Sequence, residues 1–351
     1  MSDLQVGLLV LGLLFIAGVM SYNWWQARRW QKHAMPIVAT PAPGPAPDAA
    51  SDNVQQRIEP SFEGAQPAAD DETLARTSVF GVDDSLDFMI EVRAGEVITP
   101  IALKALRTVL VSMPKRVQLS GFNYHAREWE PLAADPGAEY TMVRAAMQLV
   151  DRSGAVTQTQ LEEFATFVKD FASGSQALAQ VPDVDLEMQR AAGLDGFCSE
   201  VDVVVGINVI APTGQFFHGS KIRSLADGMG LQLQGAGGFH CSAEDGTVLF
   251  TLDNQEHRLF LPDQIRSMTT AGLTFLLDVP RTADGLRAFD RMLTMAKSYA
   301  ESLDGTLADD NRVTLSDAGL DKIRQQLRAI YASMAARGIA PGGPIALRLF
   351  S

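Results

Sequence analysis

The stretch GLTFLLDVPRTADGLRAFDRMLTMAKSYAESL, from Gly272 to Leu303, decides the fold class of its half of the chain. Up to Asp278 its large apolar residues alternate with others, which is the period of a strand with one buried face. After Pro280 the apolar residues recur at spacings of three and four, which is typical of an amphipathic helix, and we expect Thr282 to cap that helix. A strand followed directly by a long helix predicts an α+β structure, with helices packed on a sheet.

The residues on either side extend this pattern into a domain, which we place at residues 196–337. VDVVVGINVIA from Val201 predicts a strand, and HGSKIRSLADGMG from His218 predicts a helix closed by glycine. LQLQGAGGFHCS and TVLFTLDN predict two strands joined by the turn AEDG, and a short strand near TLADD precedes the last helix. The tail, residues 338–351, resembles a peptide that an open sheet face would accept. An extra edge strand or a disordered end are the alternatives for this tail.

Residues 86–195 predict a second α+β module. LDFMIEV reads as a strand, and the helix that follows begins with a Thr99 cap and a proline. A further amphipathic helix begins at Thr157. QLSGFNYH at Gln118 and QLQGAGGFH at Gln232 occupy the same slot in the two halves, which favours a duplication over chance similarity between unrelated β-α-β units.

The N-terminal segment, residues 1–33, predicts a single transmembrane helix. Residues 4–22 are almost entirely apolar, and nineteen residues at about 1.5 Å each span roughly 28 Å, close to the thickness of a bilayer core. Basic residues follow this run but do not precede it, so the positive-inside rule places the amino terminus in the periplasm and the rest in the cytoplasm. A cleavable signal peptide would need a basic leader and a small-residue cleavage site, whereas here Ser2 and Asp3 precede the apolar run and tryptophans follow it. We therefore expect a retained anchor in preference to a cleaved signal peptide. The expected anchor contacts with lipid are Leu8, Phe15, Trp24, Trp25, Arg28 and Arg29.

Residues 34–85 predict a disordered linker. They are rich in proline, alanine and acidic residues and poor in large apolar side chains, so burial cannot offset the entropy of ordering them. The whole chain has a formal net charge of −13, which argues against nucleic acid as the main partner. Its two cysteines provide neither a disulfide framework nor a metal site, and we expect both to be buried.

The sequence shows none of the usual catalytic motifs, so we expect no catalytic residue, no metal and no cofactor. GAGGFHC is rich in glycine but lacks the lysine of a phosphate-binding loop, and a bulge or tight bend is the better interpretation. His240 and Cys241 are neighbours in a strand and should point to opposite faces. Asp304, Asp309 and Asp310 predict a solvated turn in preference to a cation site.

Four motifs of the second half resemble the ZipA family, the membrane tethers of the tubulin-like division protein FtsZ. They are VVVGINVIA, GMGLQLQ, GLTFLLDVP and LRAFDRMLTMAKSYAESL, and they fall between Val203 and Leu303. The apolar N-terminus and the Pro/Ala linker agree with the family plan in kind, whereas the linker is short and residues 86–195 form an additional module. The resemblance implies an antiparallel sheet with helices on one face, and a shallow groove for the FtsZ tail on the other.

Strand parity predicts which side chains line that groove. Val248, Phe250 and Leu252 of one strand, and Phe275 and Leu277 of another, should face the helices. The outward residues and their neighbours on adjacent strands are then the expected contacts with FtsZ: Asn208, Ala236, Leu249, Thr251, Asp253, Gln255, Thr274 and Leu276.

These observations favour a non-enzymatic tether in the bacterial inner membrane that holds the C-terminal peptide of FtsZ. Other division proteins are further candidates for partners. Two alternatives use the same layout of elements: a membrane-anchored enzyme with a ferredoxin-like domain, and an RNA-binding module with an open sheet. The first would need convergent titratable residues, which the sequence does not show. The second would need stacking aromatic residues and a basic rim, which we expect to be absent from the predicted strands.

Overall fold

A computed structural model describes residues 82–132, 139–256 and 258–351 of the chain, so the expected membrane anchor and nearly all of the expected linker lie outside the described residues. Within the described ranges, no helix has both the length and the apolar character needed to cross a membrane. The helices are α1 (Pro100–Leu110), α2 (Gln158–Gly174), α3 (Val184–Val201), α4 (Gly219–Gly228), α5 (Gly285–Leu303), α6 (Asp317–Ala336) and α7 (Pro344–Leu349).

The strands fall into two main sheets and two short ribbons. The first sheet contains β1 (Asp87–Ile98), β2 (Val117–Asn123), β3 (Glu128–Pro131), β4 (Tyr140–Gln148) and β7 (Ala177–Gln180). The second contains β8 (Val204–Ile210), β10 (Gln232–Leu233), β11 (Phe239–Ser242), β12 (Val248–Asn254), β14 (Gly272–Asp278) and β15 (Thr306–Ala308). The ribbons pair β5 (Val150–Asp151) with β6 (Gly154–Ala155), and β9 (Phe217–His218) with β13 (Thr269–Thr270).

Residues 86–201 form the five-stranded module, whose sheet has the order β3-β2-β4-β1-β7 with every pair antiparallel. Its two predicted helix starts are confirmed. The Thr99 side chain accepts a hydrogen bond from the Ala102 amide and Pro100 is the first helical residue. Thr157 and Gln160 form a reciprocal capping box at the start of α2.

Residues 203–336 form the six-stranded module, in which the strand order is β10-β11-β12-β14-β8-β15 and every pair is again antiparallel. Helix α5 lies against β8, β12 and β14. The ring of Phe275 from β14 meets the ring of Tyr299 from α5 edge-on, with centroids 5.4 Å apart, and both side chains are fully buried. This core fixes which face of the sheet remains without helices.

The two modules do not share a strand order, so the predicted duplication is wrong. In chain order the strands are β1, β2, β3, β4 and β7 in one sheet, and β8, β10, β11, β12, β14 and β15 in the other. In the first sheet β4 pairs with β2, the first strand of the hairpin before it, whereas in the second sheet β14 pairs with β12, the second strand of the hairpin before it. QLSGFNYH accordingly lies in an inner strand, while QLQGAGGFH lies at the sheet edge.

Three further local features can be compared with their predictions. Helix α3 and strand β7 were not predicted, and α3 crosses the expected module boundary between residues 195 and 196. The glycine-rich run turns the chain between β10 and β11, with Gly237 at a φ of 88°, which confirms the predicted bend. Helix α5 begins after Asp284; the Thr282 hydroxyl instead donates to the carbonyl of Asp278 at 2.8 Å.

The tail joins the two modules. It forms helix α7, which places Ala346, Leu349 and Phe350 in the core of the five-stranded module, so the interpretations of the tail as a groove peptide, an edge strand or a disordered end are wrong. Arg348 in this helix forms a buried ion pair with Asp87 of β1.

A second contact between the modules comes from the β5–β6 turn. There the Arg152 guanidinium bonds Asp278 through two nitrogens, each at 2.8 Å, and also contacts Asp202. Burial lowers the pKa of Arg152, but the two carboxylates together raise it by more than burial lowers it. The pKa of Arg152 therefore lies above its usual value.

Candidate peptide-binding face

Among the residues that the structure describes, no helix covers one face of the six-stranded sheet, and we call this face the open face. Strand parity assigns its opposite face to the core as predicted, because Phe250, Leu252, Phe275 and Leu277 are all buried. Val248 is an exception: it is 39% exposed, and the strand register is irregular beside it, between Cys241 and Ser242. Along β12 and β14 the intervening residues are half-buried and point away from the helices.

The strand registers bring the predicted contacts into two rows across the open face. His240, Thr251, Leu276 and Gly206 lie side by side on four adjacent strands. In the next row Asp253, Thr274 and Asn208 are neighbours, with Ala308 beyond them on β15. Half-buried Leu249 lies two residues before Thr251 on β12, on the same face of the sheet. At the centre of these rows Thr251, Thr274 and Leu276 form a half-buried stripe of methyl and hydroxyl groups.

Asn208 has a supporting position in this surface. It is 3% exposed, and its amide oxygen accepts a hydrogen bond from the Thr274 hydroxyl at 2.6 Å. Its amide nitrogen donates to Asp310 Oδ1 at 3.0 Å. Because its side chain bonds at both ends and is buried, Asn208 holds β14, β8 and the loop after β15 in register beneath the open face.

Asp253 and His240 are two titratable side chains on the side of the stripe nearer β11. The Thr251 hydroxyl donates to Asp253 Oδ2 at 2.8 Å, and the Asp253 carboxylate leans over the backbone of Gly238, where a Cβ atom would clash with it. Burial raises the pKa of Asp253, and the Thr251 hydrogen bond and the charge of His240 offset only part of that effect. Burial lowers the pKa of His240, and the charge of Asp253 opposes this in part.

The remaining predicted contacts lie at the margins. Gln255 directly follows β12, and the alternation of the strand places it on the outward face. Its side chain covers the backbone of Gly272, the first residue of β14. Ala236 is exposed in the turn between β10 and β11, at the outer edge of the sheet, away from the central stripe. The strand pattern missed Gly206 and Asp310, because a glycine carries no apolar signal and Asp310 belongs to a loop.

The five-stranded sheet carries a cluster of aromatic side chains that the sequence reasoning overlooked. The ring centroids of Phe122 and Trp129 lie 5.4 Å apart, and those of Phe122 and Tyr124 lie 4.9 Å apart. The expectation that stacking aromatic residues are absent is therefore wrong for this module. The Arg144 guanidinium already covers the Trp129 ring, at 3.9 Å from its centroid. Within the cluster these side chains thus contact one another and Arg144.

The described residues do not assemble an obvious catalytic site. A cavity of about 330 Å³ between α1 and α2 is lined mainly by apolar side chains, with Asp170 as its one titratable lining residue. A second cavity, of about 680 Å³, has Arg107, Lys115 and Arg116 as its titratable lining residues. Ser175 also lines the first cavity, but its hydroxyl makes no hydrogen bond to Asp170, so neither cavity shows the nucleophile–base pair that acyl transfer would require.

The titratable motifs of the sequence take structural positions. Cys241 is buried in the core while His240 lies on the open face, as expected from strand parity. Burial raises the pKa of both thiols, and for Cys198 the pKa reaches about 12. The Asp309 carboxylate accepts hydrogen bonds from the Asn311 and Val313 amides, which confirms the predicted turn. Over the described ranges, no group of three or more His, Cys, Asp or Glu side chains is placed to hold a metal ion.

Residues 203–326 match the family model described as "ZipA, C-terminal FtsZ-binding domain". A protein of Marinobacter nauticus named Cell division protein ZipA is 32% identical over 133 residues, which make up 37% of this chain and 39% of that protein. A protein of the same name from Ectopseudomonas mendocina is 29% identical over 154 residues, 43% of this chain and 56% of its own length. The chain thus spans less than two thirds of the length of these two relatives.

A third protein named Cell division protein ZipA, from Shewanella baltica, is 24% identical over 374 aligned positions that cover 94% of this chain and 99% of that protein. The matched range begins at the residue before β8 and ends inside α6, so it contains every strand of the open face. Residues 203–326 of this chain belong to the family of the ZipA C-terminal FtsZ-binding domain.

Proposed function

We propose that this chain is a non-enzymatic tether of bacterial cell division, whose six-stranded module holds the C-terminal peptide of FtsZ on its open face. The observation that carries the proposal is the asymmetry of the sheet. One face buries Phe250, Leu252, Phe275 and Leu277 under helices, while the other presents a half-buried stripe around Thr251, Thr274 and Leu276 within the range that matches the family. An extended peptide laid on this stripe buries its apolar side chains against Leu276 and Leu249.

The shallow shape of the face sets the expected strength of binding. Burial of a few hundred Å² of apolar surface at about 25 cal/mol per Å² is offset in part by the ordering of the peptide, so a micromolar dissociation constant is expected. A filament presents many such peptides to many tethers in one membrane. The contacts then act together, and the assembly binds far more tightly than one site does.

The membrane part of the proposal rests on the N-terminal sequence alone. The apolar run of residues 4–22 with its aromatic and basic flank is suited to a single-pass anchor in the inner membrane, with the described modules in the cytoplasm. Alkaline phosphatase fused after Ser351 should be inactive in that orientation. Replacement of Arg28, Arg29 and Lys32 by glutamate should scramble the orientation of the chain in the membrane. An active phosphatase on the unaltered chain would contradict the orientation.

Binding to the open face is tested by Leu276→Asp in the full chain, reconstituted in lipid nanodiscs and titrated with the FtsZ C-terminal peptide. A carboxylate at this position would lose its hydration under the apolar anchors of the peptide, so we expect affinity to fall at least about tenfold. The matched control is Leu178→Asp, because Leu178 is 82% exposed on β7 of the other module. This control should bind like the unaltered chain.

A second substitution separates loss of the surface from loss of the fold. Phe275 is fully buried beside Leu276, and Phe275→Asp should unfold the six-stranded module, which circular dichroism would detect. Leu276→Asp should retain the native spectrum. Normal peptide binding by Leu276→Asp would overturn the assignment of the open face, and absence of binding by the unaltered chain would overturn the tether itself.

A further inference from the structure

A notch interrupts the open face at Gly206. This residue lies in the inner strand β8, directly opposite Leu276 of β14. A Cβ atom built on Gly206 would lie 3.6 Å from Leu276 Cδ2 and 3.0 Å from Asp310 Oδ1. The leucine methyl group and the carboxylate therefore flank the same spot of uncovered backbone and lie no more than about 7 Å apart. One wall of the notch is apolar and the other is negatively charged.

The loop after β15 fixes the carboxylate at this spot. Asp309 accepts hydrogen bonds from two amides of its own loop, and Arg312 adopts a left-handed conformation with a φ of 61°. These features turn the chain back so that Asp310 lies over β8. Asn208 then donates to Asp310 Oδ1 at 3.0 Å from below. The side chain of Asp310 is thus held by its partner while the residue remains exposed to an incoming ligand.

We infer that the notch formed by Gly206, Leu276 and Asp310 receives a lysine or arginine side chain of the bound peptide. Such a side chain has an aliphatic stem that matches Leu276 and the bare backbone, and a cationic end that matches the carboxylate. A purely apolar anchor would partly desolvate Asp310 without adding a partner to its Asn208 hydrogen bond, whereas an acidic anchor would be repelled. The inference rests on the proposed function and adds to it a rule of specificity: an apolar anchor accompanied by a basic residue.

The test is a double-mutant cycle between the protein and the peptide. The full chain and its Asp310→Asn variant, in nanodiscs at low salt, are titrated with the FtsZ C-terminal peptide and with versions in which each lysine or arginine is replaced in turn by glutamine. Asparagine retains an oxygen for Asn208, so the variant keeps the hydrogen bond below it. The matched control is Glu301→Gln, an equal change of charge on the exposed side of α5.

We expect Asp310→Asn to weaken binding of the parent peptide by about three- to fivefold, as for a partly exposed ion pair, and Glu301→Gln to leave it unchanged. For one of the glutamine peptides, affinity for the unaltered chain should be lower than that of the parent peptide by the same factor. That peptide and its parent should have equal affinity for Asp310→Asn. Gly206→Ala places a methyl group in the notch, 3.0 Å from Asp310 Oδ1 and 3.6 Å from Leu276 Cδ2, and should reduce the difference between that peptide and its parent.

The outcomes separate the inference from the function on which it rests. If Asp310→Asn weakens every peptide equally, or weakens none, the notch does not recognise a cation and the inference is overturned while peptide binding stands. If the unaltered chain binds no version of the peptide, the proposed function fails first. Non-additivity confined to one basic residue supports the inference.

Discussion

Replacement of Arg348 by methionine tests whether the tail helix holds the two modules together. Arg348 is 8% exposed and Asp87 is 2% exposed, and they form an ion pair between α7 and the first residue of β1. Gln148 completes the contact, because its side-chain amide donates to the Arg348 carbonyl at 3.0 Å. Methionine keeps much of the aliphatic volume and removes the charge, so the variant leaves the Asp87 carboxylate buried without the guanidinium.

The expected cost is about 3–5 kcal/mol, which is typical when one partner of a buried ion pair is removed. This is a large part of the roughly 5–15 kcal/mol that stabilises most domains. With a urea m-value of about 3 kcal/mol per molar, the unfolding midpoint should fall by about 1 M or more. A second substitution, Asp87→Asn, removes the buried charge, so the double variant should recover much of that loss.

The pH dependence has a definite sign. Burial raises the pKa of Asp87, and the hydrogen bond and charge of Arg348 lower it only in part. At pH values above the raised pKa the variant leaves an ionised carboxylate uncompensated, whereas a protonated Asp87 has no charge to compensate. The difference in unfolding free energy between the unaltered chain and Arg348→Met should therefore shrink as the pH falls through the pKa of Asp87.

The assay is urea unfolding of residues 82–351, followed by the fluorescence of Trp129, the single tryptophan in that range. Because α7 follows the helices of the six-stranded module but lies in the core of the other, we expect one transition for the unaltered protein. A shift smaller than about 0.3 M, or a loss that the Asp87→Asn substitution does not relieve, would refute this account of the tail.

Two further predictions concern single side chains. Thr157→Ala removes the hydroxyl that accepts from the Gln160 amide at the start of α2, so the unfolding free energy should fall by about 1 kcal/mol in the same urea assay, and an unchanged midpoint would contradict it. The pKa of His240 is lowered in the folded state, so the unaltered protein should lose stability as the pH falls below about 6.5, where the unfolded chain takes up the proton. His240→Asn should reduce that acid-side loss, as measured by thermal unfolding at pH 7 and pH 5.

Local patterns predicted much of the six-stranded module correctly. Gly272–Leu303 contains its own strand and helix periods, and the alternation in β12 and β14 assigned Phe250, Phe275 and Leu277 to the core. These signals depend on residues close together in the chain, so one sequence suffices to read them. The open face follows from the same parity, and its central residues Thr251, Thr274 and Leu276 lie side by side as expected.

Long-range features could not be read in this way. The order of strands in each sheet depends on pairings that leave no local period, so two similar stretches at Gln118 and Gln232 suggested a duplication that the topology contradicts. Helix α3 contains Gly193 and Gly196, and its apolar residues do not fall on one side of the helix. The helical period in its sequence is therefore weak. The tail gave the wrong prediction because the partner of Arg348 is 261 residues away along the chain.

The face of the five-stranded sheet that carries Trp129 differs from the open face of the six-stranded sheet in a way that bears on which module binds a peptide. On the five-stranded sheet, Arg144 covers the Trp129 ring and also bonds Glu91, whose other oxygen accepts from Arg93 at 2.6 Å. A peptide laid there would have to displace contacts that the module makes with itself. On the six-stranded sheet the open face presents the hydroxyls of Thr251 and Thr274 and the side chains of Leu249 and Leu276, beside the bare backbone of Gly206. A ligand there adds contacts and displaces mainly water, which favours the six-stranded module as the receptor. The five-stranded module encloses α7 in its core and contacts the six-stranded module through Arg152 and Asp278.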